Sequence, residues 1–229
     1  MIPMLIVYFL RRMQKNAFIL KLKLRFVKGL EKLKLISAVV LLSFCYAQAD
    51  TLPNQKTFNI VKNNKVLGTI TISRDASNEA TVYHLKSTIN ANLLLKFCIK
   101  GEEKAIFKDG ILVYSSVYRS VNNKVKSNHK LVYKKNKYLL NRDGSEEVLS
   151  LKPISLNLVS LYFKEPKSKK FVYCDNAGQM LGIESLGEGK YKVVFEKGKY
   201  NIFHYRDGKC IGVEANSKLF DVNLIPVAS

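Results

Sequence analysis

The three histidines, His84, His129 and His204, are the side chains of this chain best suited to binding metals or moving protons at neutral pH. None of them lies in an HExxH, His-x-His or Cys-x-x-Cys context, so their spacing supports no metal site. Cys174 or Cys210 with His204 would be the residue types of a nucleophilic pair, but nothing in the local sequence singles either pair out. The sequence also has no GxSxG elbow and no Walker-type phosphate loop. We therefore predict no catalytic residues, no metal and no cofactor, and we expect that the protein is not an enzyme.

A polar cluster that follows a lysine-rich run is the strongest candidate for a binding site. We expect aromatic side chains to give apolar contact, lysines to attract an anionic group, and the polar cluster to orient that group by hydrogen bonds. The alternative is a packed corner beside a solvated charge run, because Asp175, Asn176 and Gly178 also suit a tight turn. The predicted binding residues are Tyr162, Phe163, Lys164, Lys167, Lys169, Lys170, Tyr173, Asp175, Asn176 and Gln179.

The elements that must position these residues are predicted to be β-strands, because apolar and polar residues alternate with a period of two along most of the chain. Asp-Gly at 109–110, 143–144 and 207–208, and Asn-Asn at 63–64, fall between alternating segments and predict hairpin turns. We predict about a dozen short strands, among them Val121–Lys126 as a strand of its own.

One segment breaks the alternation. The residues from Pro153 to Pro166 are apolar nearly all round at helical spacing, which predicts a short buried helix near Asn157–Phe163. A sheet of a dozen strands should curl rather than stay flat. The predicted fold is therefore all-β, a strongly curved antiparallel sheet, half-barrel or barrel-like, with one short buried helix on its concave side.

The segment Lys28–Asp50 has the three parts of a secretory signal peptide, namely basic residues, an apolar run and small residues at Ala47 and Ala49. The apolar run of about 12 residues is shorter than the roughly 20 that a membrane span needs. We predict a leader over residues 1–49 with its signal peptide at 28–49, followed by a single β-rich domain over residues 50–229. Lipidation at Cys45, an uncleaved signal anchor and a start codon downstream of Met1 are the alternatives.

The predicted cellular location determines which partners the positive net charge of the chain implies. The chain carries a formal net charge of +20. The leader contains nine Lys or Arg and one Glu, so +20 − 8 leaves +12 for residues 50–229. A basic surface aids solubility or attracts an anionic partner. For an exported protein of the periplasm or outer envelope, with no transmembrane span after cleavage, we expect a lipid, an anionic glycan or an envelope protein and no nucleic acid.

The mature part contains three cysteines, Cys98, Cys174 and Cys210. An odd number permits at most one internal disulfide and leaves a thiol unpaired. So few cysteines are not typical of a disulfide-stabilised scaffold. We expect buried free thiols.

Several sequence motifs resemble an uncharacterised bacterial family, the domain of unknown function 6134. The resemblance spans almost the whole mature part and implies a secreted protein typical of the Bacteroidetes group. It implies no activity and no catalytic residues. The motifs are VLGTITISR (66–74), FKDGILVYSSVYRSVNNKVK (107–126), KPISLNLVSLYFKEP (152–166), VYCDNAGQML (172–181) and YRDGKCIGVEA (205–215).

Two functions of different classes follow from these features. The first is a non-enzymatic binding protein that holds a lipid or amphipathic molecule in its curved sheet, as periplasmic lipid carriers with curved sheets do. The second is a structural or interaction module that binds an envelope protein or an acidic glycan through its basic face. An enzyme is the least favoured of the three classes considered.

Overall fold

The structure, a computed structural model, describes residues 54–92, 96–216 and 221–227. The predicted leader lies outside the described residues. The part of the chain that the structure describes forms fourteen β-strands and two 3-10 helices, Val159–Tyr162 and Glu196–Gly198. The strands are β1 (Asn54–Lys62), β2 (Lys65–Ala76), β3 (Thr81–Asn92), β4 (Lys96–Lys108), β5 (Ile111–Val121), β6 (Lys124–Lys134), β7 (Lys137–Arg142), β8 (Ser145–Leu149), β9 (Phe171–Cys174), β10 (Gln179–Gly187), β11 (Lys190–Val194), β12 (Tyr200–Arg206), β13 (Lys209–Asn216) and β14 (Val222–Pro226).

All fourteen strands belong to one antiparallel sheet, which confirms the predicted all-β class. The strand order is β8-β7-β6-β5-β4-β3-β2-β1-β14-β13-β12-β11-β10-β9. Strands that are consecutive in sequence are neighbours in the sheet, except β8 and β9, which form its two edges. The first and last strands, β1 and β14, also pair with each other. The sheet is therefore not closed, and the chain crosses from one edge to the other between β8 and β9.

Two-residue turns with positive φ join most of the hairpins. The three Asp-Gly turns and Asn63-Asn64 lie where the sequence predicts them, with both residues in the left-handed region. The prediction of a separate strand over Val121–Lys126 was wrong, because Asn122 and Asn123 form a turn inside it with φ of 49° and 62°. Asparagine tolerates this conformation, so Asn-Asn acts here as it does at 63–64.

The connection between the edge strands, residues 150–170, is named here the plug segment. It contains the predicted short buried helix as a single 3-10 turn, Val159–Tyr162, whose four residues are all buried. The plug segment is fixed to one half of the sheet by Tyr138, whose hydroxyl donates to Leu112 O (3.1 Å) and accepts from Ile154 N (2.9 Å). On the other half, the Tyr205 hydroxyl donates to Leu161 O at 2.5 Å.

These contacts show that the sheet is strongly curved. A flat sheet of fourteen strands would be roughly 60 Å across, at about 4.8 Å per strand. The short plug segment nevertheless contacts strands from both halves, including Phe58 on β1, Tyr138 on β7 and Phe203 on β12. The sheet must therefore wrap around the plug segment, which forms the centre of the core. No helix among the described residues is long and apolar enough to cross a membrane.

Candidate functional site

The concave side of the sheet contains two large cavities, and the plug segment contributes a wall to each. The first, of about 650 Å³, is named the Asp175 cavity. The second, of about 630 Å³, is named the Arg74 cavity. Because hairpin turns alternate between the two ends of an antiparallel sheet, the β9–β10 turn beside the first cavity and the 109–110 turn beside the second lie at opposite ends. The interior is thus accessible in two separate places.

The Asp175 cavity has mainly apolar walls. They come from inward-facing side chains of the sheet, such as Ile70, Leu85, Ile89 and Phe203, and from Tyr162 of the plug segment. Ile70 and Ile89 are only partly buried against the core, so they leave apolar surface facing the cavity. Concave apolar walls of this volume are typical of sites for small molecules.

An ion pair lies in one wall of this cavity. Glu103 on β4 is opposite Leu85 on β3 and Val117 on β5, so it occupies an inward position among apolar neighbours. Arg119 on β5 is opposite Gly101, which places its guanidinium diagonally across from Glu103. The Arg119 Nη2 to Glu103 Oε1 distance is 2.7 Å, and the two side chains are 44% and 12% exposed. The carboxylate is buried, and the guanidinium is half-exposed within the cavity lining.

A second buried carboxyl group, that of Asp175, contributes to the same wall. The residue is 5% exposed, and its Oδ2 accepts a hydrogen bond from Asn157 Nδ2 at 3.0 Å. Its Oδ1 has no hydrogen-bond partner among the described residues. Burial raises the pKa of Asp175 to about 7, the nearby Ser115 hydroxyl and Asn157 amide limit the rise, and the Glu103 charge adds to it. Asp175 is therefore close to half-protonated at neutral pH.

The backbone around Asp175 explains why it is held there. It begins the β9–β10 turn, in which Ala177 N and Gly178 N donate to Cys174 O. Asn157, its partner in the plug segment, is aligned by main-chain hydrogen bonds between residues 156–158 and Tyr173 on β9. Ser127 Oγ on β6 donates to Asn176 Oδ1 at 3.2 Å, which connects the turn to the other half of the sheet. The carboxyl group is thus positioned by its hydrogen bond to Asn157 and by the contacts that hold the β9–β10 turn against the plug segment and β6.

The structure divides the predicted binding residues among four places, namely the two cavities, the core and the surface. Tyr162, Asp175, Asn176 and Gln179 line the Asp175 cavity, and Phe163 and Lys164 line the Arg74 cavity. Tyr173 is fully buried in the core and lines neither cavity.

The remaining lysines lie on the surface. Lys167, Lys169 and Lys170 are exposed and line neither cavity. Lys167 Nζ is 3.4 Å from Glu165 Oε2, and Lys169 Nζ is 3.4 Å from Ser155 Oγ. Lys170 precedes β9 and Asp175 follows it, so their backbones are about 16 Å apart at roughly 3.3 Å per strand residue. The lysines and the polar cluster are therefore not brought together.

Sequence reasoning missed Glu103, Arg119 and Asn157. A signal for Glu103 was present, because it alternates with the same period of two as Ala105 and Phe107 and so lies on the inward face of β4. A carboxylate at an apolar position of an alternating strand indicates either a buried pair or a site. Nothing local signals Arg119, whose role depends on strand pairing.

The geometry gives little support to a cysteine nucleophile, a Cys–His pair or a metal site. Cys98, Cys174 and Cys210 form no disulfide. Burial raises the pKa of Cys174 to about 11 and also raises that of Cys210, so neither forms a thiolate readily at neutral pH. His204 Nε2 is 2.9 Å from Glu214 Oε1. Within the described residues, no group of three or more His, Cys, Asp or Glu side chains could hold a metal ion.

Comparison with known proteins yields a family and a structural likeness. The family model described as a domain of unknown function (DUF6134) matches residues 58–227. One solved structure, the crystal structure of a beta-barrel-like protein of domain of unknown function DUF1849 from Brucella abortus, is similar over 77% of this chain and 96% of that chain. Its sequence identity is 11% and its TM-score is 0.47. No curated protein matches the chain.

Proposed function

Because the chain belongs to the DUF6134 family, whose function is unknown, its role must be argued from the site, and we propose a non-enzymatic binding protein. Its ligand is a small lipid-like or amphipathic molecule, and the apolar part of that ligand occupies the Asp175 cavity. The proposal applies to one end of the curved sheet and does not involve the lysine-rich run.

One observation carries the proposal, namely a cavity of about 650 Å³ with mainly apolar walls on the concave side of the sheet. Protein interiors are close-packed, and voids much larger than a water molecule are few. Apolar walls gain stability when an apolar molecule covers them, by about 25 cal/mol per Å² removed from water. The few polar groups in the wall would then select and orient the ligand.

Fluorescence of N-phenyl-1-naphthylamine, an uncharged apolar dye, tests the proposal. The dye should bind the full chain and brighten. Ala215→Phe should weaken binding by about tenfold or more, since Ala215 lines the Asp175 cavity and the larger ring fills part of it. Ala80→Phe is the matched control, because Ala80 lines the Arg74 cavity and should leave binding unchanged.

The reverse outcome would assign the dye to the Arg74 cavity and refute the proposal, as would the absence of dye binding. Thermal unfolding of both variants establishes that they fold. Native mass spectrometry of protein purified from its own compartment should show a co-purifying small molecule in the wild type and less of it in Ala215→Phe.

We also propose that the protein is exported, on the basis of the signal-peptide pattern over residues 28–49. N-terminal sequencing of the mature protein should begin at Gln48 or Asp50. Replacing Leu41 and Leu42 by Asp should trap the precursor, because the apolar run would be interrupted. Recovery of intact protein that starts at Met1 would contradict the proposal.

A second candidate function is an interaction module that binds anionic envelope components through its basic surface. The observation that favours it is the exposure of Lys167, Lys169 and Lys170 together at one end of edge strand β9. This surface lies outside both cavities, so the two functions can be tested independently.

A further inference from the structure

The polar wall of the Asp175 cavity leaves both hydrogen-bond acceptors and donors without partners. Asp175 Oδ1 is buried and makes no well-formed hydrogen bond among the described residues, although the Ser115 hydroxyl lies close enough to stabilise the ionised carboxyl. The Arg119 guanidinium has five N–H donors, and the hydrogen bond that it makes within the described residues goes to Glu103. A ligand that satisfies this wall must therefore offer a donor to Asp175 and an acceptor to Arg119.

The charges around this wall nearly cancel. Glu103 and Arg119 neutralise each other at 2.7 Å. Arg142 donates to Ala177 O at 3.1 Å and lies 3.8 Å from Glu147, and the other charged residues of the lining, Glu196 and Lys199, have opposite signs. Asp175 is the third acidic side chain of a lining that also has three basic ones, so the formal charge of the wall is zero when Asp175 is ionised.

This balance argues against a charged head group. At about pH 8, where Asp175 is mainly ionised, an ionised carboxylate has no donor for Asp175 and would approach two acidic side chains, Glu103 and Asp175. A quaternary ammonium group has no lone pair for Arg119. The anionic group expected from the lysine-rich run would be held far from those lysines, since they line neither cavity.

We propose that the Asp175 cavity selects an amphipathic ligand with an uncharged, hydroxyl-bearing head group. One hydroxyl donates to Asp175 Oδ1, and another oxygen of the head group accepts from Arg119. The hydrocarbon tail lies against Ile70, Leu85 and Ile89. The inference rests on the proposed binding function and adds the chemical class of the ligand.

Competition between three probes that each have a 14-carbon chain tests the inference in the full chain. The probes are 1-tetradecanoyl glycerol, tetradecanoate and tetradecyltrimethylammonium, each used below its aggregation concentration to displace N-phenyl-1-naphthylamine at about pH 8. The glycerol ester should bind at least about tenfold more tightly than either ion, roughly the factor that a hydrogen bond to a charged group contributes. Equal or tighter binding of either ion would overturn the head-group inference while leaving the binding function intact. A wild type that does not bind the dye would overturn both.

Removing the negative charge of Glu103 should change the ligand preference, an effect that a purely structural role of Glu103 would not produce. In Glu103→Gln the Arg119 charge is no longer neutralised, so tetradecanoate should gain about tenfold in affinity relative to the glycerol ester. Glu102→Gln is the matched control, because Glu102 is on the outward face of the same strand, 2.7 Å from His84. It should leave the ranking of the three probes unchanged.

Asp175→Asn gives an independent second variant if Glu103→Gln does not fold. The side-chain oxygen of the new asparagine can still accept the hydrogen bond from Asn157 Nδ2. Its NH₂ group, a donor, then occupies the position where Asp175 has the acceptor Oδ1. The preference for the glycerol ester over tetradecanoate should fall by about tenfold or more. An unchanged preference in every folded variant of the two would refute the roles assigned to Glu103 and Asp175.

Discussion

The two cavities of this sheet have nearly the same volume but differ in how their polar groups are held. In the Arg74 cavity, the acidic side chains, Glu79 and Asp109, lie in the exposed turns at 77–80 and 109–110, and the buried Arg74 Nε has no partner among the described residues. In the Asp175 cavity, the carboxyl groups of Glu103 and Asp175 are buried, fixed by partners and surrounded by apolar walls. Buried polar groups inside apolar walls retain their interaction strength because water is excluded, whereas exposed turn residues are solvated. Volume alone therefore does not identify a site.

The largest expected effect comes from the plug segment, which both cavities share. Leu161 is 0% exposed within it, so Leu161→Ala should lower the free energy of unfolding by about 2–5 kcal/mol. Urea unfolding measures the change. Leu186→Ala on β10 removes the same atoms from a side chain that is 44% exposed and should cost less than about 0.5 kcal/mol. A loss below about 1 kcal/mol at Leu161 would show that the plug segment is not packed as described.

The buried carboxyl of Asp175 should make stability depend on pH. Its pKa of about 7 in the folded protein is above the ordinary value of 3.8, so the folded state holds a proton that the unfolded state has lost between these values. The stability linked to this bound proton is fully present below about pH 4 and is lost as pH rises through about 7. The free energy of unfolding of the wild type, relative to Asp175→Asn, should therefore fall by roughly 4 kcal/mol from pH 4 to pH 8.

Asp109→Asn is the control for this titration, because Asp109 is an exposed carboxyl in the lining of the Arg74 cavity. Urea unfolding of the three proteins across the pH range gives the comparison. If both substitutions change the pH profile equally, burial of Asp175 is not its cause.

The sequence was sufficient for most of the fold because the determining signals are local. Asp-Gly and Asn-Asn turns need positive φ, and they lie at the hairpins. The apolar segment between Pro153 and Pro166 could be buried only against the sheet, and its 3-10 helix is the centre of the core.

The candidate site was only partly predictable, because it depends on contacts that are distant in sequence. The Glu103–Arg119 pair exists through the β4–β5 register, and Asp175 meets Asn157 through a bridge between the plug segment and β9. Proximity in sequence also placed the lysines beside Asp175, although a strand of only four residues, Phe171–Cys174, separates them in space. A period-two pattern predicts on which face of the sheet a side chain lies. It does not predict near which end of the sheet that residue lies.

A smaller effect is expected where the plug segment meets the first half of the sheet. Tyr138→Phe removes the hydroxyl that joins Leu112 O to Ile154 N, leaving a buried acceptor and a buried donor unpaired. The free energy of unfolding should fall by about 1–3 kcal/mol. Tyr133→Phe is the matched control, because its hydroxyl bonds Asn136 Oδ1 at 3.4 Å near the surface. Dye binding should change little in either variant, since neither ring lines the Asp175 cavity; strong loss of dye binding in Tyr138→Phe alone would show that this anchor also shapes the cavity.

The smallest effect on the fold should come from the lysine-rich run. Lys167→Glu with Lys170→Glu should change the free energy of unfolding by less than about 0.5 kcal/mol, because both side chains are exposed. Dye binding should also be unchanged, since neither residue lines the Asp175 cavity.

Binding to phosphatidylglycerol vesicles separates a basic docking surface from a merely solvated one. If the run attracts anions, wild-type binding should weaken with salt, and the double reversal should weaken it more than the same reversal at Lys124 and Lys126 on β6. Both double variants change the net charge by the same amount, so a difference between them must come from position rather than total charge. Equal loss in the two would mean that only net charge matters, and no loss in either would leave the lysines as a solvated face. In both of those cases the second candidate function should be abandoned, and the Asp175 cavity would remain to be tested on its own.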